Sequence, residues 1–106
     1  MAEIARGEVW WAAIPDAREP HPVLVLTRDA AIPVRNRVTV APVSTIRRGI
    51  PVEVVLDESD GMDHECVLNL DDIATIPKHL LGERVCRLPA TRMHEVRAAV
   101  MAALGL

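Results

Sequence analysis

Short apolar runs separated by polar, proline-marked or glycine-marked breaks fill most of the chain. Each run has the length of a strand rather than a helix. Arg6-Gly7-Glu8 opens the first, near Val9–Ile14. The second covers Val23–Thr27, where Val23, Leu24, Val25 and Leu26 form a continuous, β-branched-rich run that reads as a buried strand. Arg37–Val43, Val52–Leu56 and Arg84–Leu88 add further strands. Val67–Leu70 and Ile73–Ile76 read either as one strand broken at Asp71-Asp72 or as two short ones. Polar connections are expected at 15–20, at 29–36 with Pro33 and Asn36 as breakers, at 45–49 and at 57–64. Residues 77–81 fit a helical turn.

The pattern changes at the end. "LPATRMHEVRAAVMAALGL" is alanine-rich, and Met93, Val96, Val100 and Leu104 recur at helical spacing. Pro89 suits the first turn and Gly105 the stop. The expectation is a β-rich α+β domain spanning 1–106. Its short strands would form a small barrel, whose closure removes exposed edges, and one helix would end the chain.

Composition sharpens this picture. Half the residues are hydrophobic, yet Trp10 and Trp11 are the only aromatics. The core is therefore aliphatic, and the scarcity of aromatics argues against a base-stacking platform of the RRM or OB type. The net charge of −3 exerts no bulk pull on nucleic acid. Its distribution is uneven: residues 53–72 carry eight acids and no Lys or Arg, while residues 28–48 carry five Arg against Asp29. That asymmetry reads as a basic and an acidic face or, more simply, as two solvated loops. Cys66 and Cys86 form no metal-binding or redox motif and fit buried free thiols. Neither a targeting segment nor a long apolar span is present, so a cytoplasmic protein with no membrane partner is expected.

Three places could carry chemistry. His21 lies between Pro20 and Pro22, which hold the backbone extended and place one imidazole at the mouth of a core strand. In "APVSTIRRG", Ser44 and Thr45 end a strand before Arg47, Arg48 and Gly49, a set able to hold a phosphate or simply to cap a turn. In "NLDDI", Asn69, Asp71 and Asp72 interrupt an apolar segment, either as paired functional acids or as a turn. His64 and Cys66 lack the second pair a metal site needs; His79 and His94 fit surface positions. No metal or cofactor is implied.

With these residues the chain resembles the MazF/PemK family of toxin endoribonucleases. The similarity runs in order through "RGEVWWAAI", "PVLVLTRD", "VTVAPVST", "GIPVEVVL", "LDDIATI" and the closing helix. It implies an SH3-like β-barrel with a C-terminal helix, assembled as a homodimer. The implied activity is metal-independent cleavage of single-stranded RNA by attack of a 2′-hydroxyl, leaving 2′,3′-cyclic phosphate and 5′-hydroxyl ends. The implied partner is a MazE-like antitoxin with a disordered, acidic C-terminal tail. His21 stands where the family usually has an arginine, Ser44 where it has threonine, and Asn69 where some members have the arginine of an Arg-x-Asp pair. Asp71 matches that pair's aspartate, and Asp72 follows it.

The resemblance thus points to His21, Ser44 and Asp71 as catalytic, with Thr45, Arg47, Arg48, Arg18, Asn69 and Asp72 binding substrate. An imidazole can carry a proton near neutrality, which an arginine cannot. Two other readings compete: a weakened homologue that binds RNA or antitoxin, and a CcdB-like gyrase poison. Against the latter, the "AALGL" end lacks a Trp-Gly-Ile type tail.

Overall fold

A computed structural model describes residues 3–106. Seven strands precede one helix: β1 (Glu8–Ala12), β2 (His21–Val25), β3 (Arg37–Ser44), β4 (Glu53–Leu56), β5 (Cys66–Asn69), β6 (Ala74–Pro77), β7 (Leu81–Arg87) and α1 (Ala90–Leu104). Every pairing is antiparallel, in the order β4-β5-β3-β2-β1-β7, with β6 also on β3. The break at Asp71-Asp72 therefore divides two strands. β6 pairs with Arg37–Val40 and β5 with Val43 and Ser44, both along the same strand.

The expected closure is not made, because no ladder joins β7 to β4. The edges are protected differently. α1 packs against β4, while β7 exposes Glu83, Arg84 and Arg87, charges that discourage pairing with another chain. β7 also starts earlier than expected. It extends back to Leu81, opposite Ala12, through two register shifts. Such irregular pairing masks the alternation by which a strand is read from sequence.

β2 is buried on both faces, as its unbroken apolar run requires. Leu24 joins Val9, Ala41, Leu56, Leu68 and Leu70 on one side. Val23 and Val25 join Trp10, Ala12, Val38 and Val40 on the other. α1 covers the first cluster with Val96 and Ala99, flanked by Met93, Val100 and Ala103. Leu104, expected on this stripe, is 61% exposed. The buried line runs through the alanines, and Leu104 falls to its side. Pro89 is the N-cap, one residue before the helix, and Gly105 ends it in the left-handed region at φ 72°.

Glu8 ties three segments together from a buried position. Its Oε1 accepts from the Ala5 amide at 2.8 Å and the Trp10 indole at 3.0 Å; its Oε2 accepts from Arg84 at 2.9 Å. Burial pushes this carboxyl up, but the hydrogen bonds from Arg84, Ala5 and Trp10 outweigh it and hold the pKa below the ordinary 4.5. Glu8 therefore contributes stability above that value, and the contribution fades as pH falls through the lowered native pKa. Glu8→Ala should destabilise the fold by about 3 kcal/mol at pH 7, since it strands the buried indole N–H. The difference from the native protein should shrink below pH 4 in urea titrations. An equal difference at both pH values would contradict this role.

Candidate functional site

A cleft of about 750 Å³ opens where β2 begins and β3 ends. It is lined by Trp11, His21, Pro22, Pro42, Ser44 and Thr45 from β1, β2 and the end of β3, by Met62, Asp63 and His64 from the connection before β5, and by Cys66 of β5 and Val85 of β7. The β2–β3 register pairs Val23 with Pro42 and Leu24 with Ala41. Two residues further out, that register brings His21 level with Ser44. An exposed imidazole and a half-buried hydroxyl thus share one mouth. A smaller hollow of about 450 Å³ lies beside Ile4, Asp29 and Lys78. It holds neither imidazole nor hydroxyl, and its Lys78 ammonium already donates to the Ile32 carbonyl at 2.7 Å.

Each side chain at the mouth is placed by local sequence. The proline pair keeps His21 extended, and β1 holds it opposite Ala12. Ser44 is the last residue of β3, and its Oγ accepts from the Ile46 amide at 3.0 Å. This turn fixes the oxygen and leaves the hydroxyl proton to donate. Cys66 is no nucleophile here, because burial, with nearby acids, pushes its thiol up to about 11.

The arginine-rich segment and the acidic segment meet rather than forming opposite faces. Glu53 accepts from the amides of Arg48 at 3.0 Å and Gly49 at 2.9 Å. Burial pushes the Glu53 pKa up, and these bonds reverse the shift to hold it below 4.5. Arg47 approaches Glu65 at 3.6 Å, with both side chains largely exposed. Glu53 thereby ties the 45–52 connection to the start of β4, and Arg48 is exposed. Arg18 is exposed in the β1–β2 loop.

The Asn69–Asp72 segment forms a self-capped turn. Buried Asn69 accepts from the Asp71 amide at 2.9 Å through Oδ1 and donates to Asp72 Oδ2 at 2.8 Å through Nδ2. Asp71 and Asp72 are exposed, and none of the three lines the cleft.

Sequence reasoning missed the 61–64 part of the cleft lining and Trp11. Consecutive strand residues point to opposite faces. The dipeptide Trp10-Trp11 was thus a usable signal that only one indole would enter the smaller core. Trp10 is 3% exposed and Trp11 is 40% exposed. The 61–64 part is firmly built. Asp57 caps a 3-10 turn with a reciprocal box to Asp60. Buried Asp60 takes both Arg92 Nε contacts, at 3.0 and 3.1 Å, from α1. Gly61 has φ +101°, and a Cβ there would sit 2.6 Å from the Cys86 Cβ.

Residues 5–104 match the family model described as PemK-like, MazF-like toxin of type II toxin–antitoxin systems. The chain is 41% identical over 101 residues to "Probable endoribonuclease MazF5" of Mycobacterium tuberculosis, covering 94% of this chain and 92% of that protein. Among solved structures, a mycobacterial endoribonuclease in complex with its cognate antitoxin superposes with a TM-score of 0.88 at 27% identity, covering 98% of this chain and 97% of that one. Mycobacterium tuberculosis toxin MazF-mt6 gives 0.85 at 32% identity, covering 93% and 97%.

The Asn69 turn can be tested apart from any substrate. Asn69→Ala should lower stability by about 1–2 kcal/mol in urea unfolding, the cost of losing a buried cap. Unchanged stability would return Asn69 to the group of substrate contacts.

Proposed function

The chain belongs to the PemK-like, MazF-like toxins of type II toxin–antitoxin systems, and from that membership we propose that it cleaves single-stranded RNA in the cytoplasm at short sequences, without a metal. The observation that carries the proposal is the pairing of His21 and Ser44 at the mouth of a cleft. In the proposed reaction a ribose 2′-hydroxyl attacks the adjoining phosphorus, the new 2′-O–P bond forms, and the P–O5′ bond breaks. The products are a 2′,3′-cyclic phosphate and a 5′-hydroxyl.

This chemistry needs a proton moved from the 2′-oxygen to the leaving 5′-oxygen, and donors facing the phosphate. His21 is the proton carrier in this reading. The Ser44 hydroxyl donates to a phosphate oxygen, Thr45 lies next to it, and Arg47 and Arg48 supply the positive charge that an arginine at position 21 would otherwise give. Arg18 extends the basic rim on the β1–β2 side. Asp71 and Asp72, outside the cleft, contact neighbouring nucleotides or none; His21 works without a carboxylate partner.

Two assembly proposals follow from the family. The protein forms a homodimer, and its antitoxin lays an acidic, initially disordered segment over the exposed Arg47-Arg48 turn. Occupation of that turn would block RNA entry to the adjoining mouth.

Incubation of the protein with a long defined RNA in excess EDTA, followed by end mapping, tests the reaction. Discrete cuts with cyclic phosphate and 5′-hydroxyl ends are expected. His21→Ala should lower kcat about 10²- to 10⁴-fold. Full activity in His21→Ala would remove the catalytic role. Cleavage by His21→Arg but not by the native protein would identify a binder with a dormant site.

A further inference from the structure

We propose that Trp11 and Val85, on the paired strands β1 and β7, form a seat for one nucleobase of the bound RNA, and that Asp63 reads the amino edge of that base. The inference rests on the proposed RNA-cleaving function and specifies which part of the cleft selects sequence. Trp11 is the only aromatic with substantial exposure, and it lines the cleft from β1, paired with Pro22 of β2. An indole face stacks any base, and Val85, on the neighbouring strand β7, adds apolar surface to the same cleft.

Charge sets the orientation. Asp63 lines the cleft from the connection before β5, next to His64, whose Nδ1 lies 2.5 Å from Asp63 Oδ1. A carboxylate repels a phosphate and accepts from an exocyclic amine. The backbone phosphate therefore belongs on the His21–Ser44 side and the base on the Asp63 side. Asp63 Oδ2 is left to accept from cytosine, adenine or guanine; uracil offers no exocyclic amine. The reader is held in place from behind. Three residues before Asp63, Asp60 is clamped by Arg92, and Gly61 lies flush against Cys86.

The test uses the two tryptophans separately. Trp10 is buried and hydrogen-bonded to Glu8, so a bound base reaches Trp11 alone. A 2′-fluoro oligonucleotide spanning the mapped cut, or a random pool if no cut is found, lacks the attacking hydroxyl. Its binding is followed by anisotropy and by tryptophan emission. Quenching in the native protein and in Trp10→Phe, lost in Trp11→Phe while binding persists, is expected. Trp11→Ala should weaken binding about 5- to 100-fold, with Trp11→Phe restoring most of it. Asp63→Asn should relax base preference at one position beside the cut. Binding with no change in Trp11 emission, or undiminished affinity in Trp11→Ala, overturns the seat and leaves the nuclease standing. Quenching without RNA cleavage by the native protein supports the seat and removes the nuclease. No binding and no cleavage overturns both.

Discussion

β3 has more partners than any other strand, and the site depends on where it exchanges them. One edge of β3 pairs with β2 from Val40 to Pro42. Its other edge pairs first with β6 and then, beyond Ala41, with β5. The exchange requires the chain between β5 and β6 to turn within a few residues, and the turn must satisfy its own backbone groups because it sits against the core. The buried Asn69 side chain does this, bonding the Asp71 amide and the Asp72 carboxylate. Once β5 takes over the end of β3, Ser44 projects past β2 and stands level with His21.

The same exchange shapes the cleft. β5 brings the 57–64 connection with it, so part of the cleft lining is supplied by an acidic segment rather than a basic one. Arg92 reaches from α1 to Asp60 and fixes that segment. The result is a cleft lined by unlike segments. One carries an imidazole, hydroxyls and neighbouring arginines; the other carries Asp63 beside apolar Met62. Such a lining suits a polymer with an anionic backbone and bases bearing hydrogen-bond donors.

Much of this was legible from residues alone. The continuous run Val23–Leu26 announced a strand buried on both faces, and Gly105 the helix end. The start of β3 at Arg37 was read correctly, whereas the start of β2 at His21, two residues before its apolar run, left no such mark, because register and pairing partner decide it. Glu8 looked like an ordinary strand-opening acid, and its burial depends on Arg84, far along the chain. His21, Ser44 and Thr45 were found because proline restraint and a strand-end hydroxyl leave local signatures. Asn69 was noticed for a sound reason, a polar residue in an apolar segment, and its contacts place it in the turn. Asp63 escaped because only the fold brings it to the cleft, whereas the paired tryptophans were a local sign that was passed over. The open sheet could not be foreseen either, since edge protection by α1 and by the charges on β7 substitutes for closure.

The central claim is that His21 and Ser44 address the same phosphate. A crystal structure of the protein with a 2′-deoxy-substituted oligonucleotide at the mapped cut tests it most directly. The account predicts the scissile phosphate within about 3.2 Å of both the Ser44 Oγ and an imidazole nitrogen of His21, the reach of a working hydrogen bond. A scissile phosphate seated away from both, for example along Arg35 and Arg37 at the other end of β3, would contradict it.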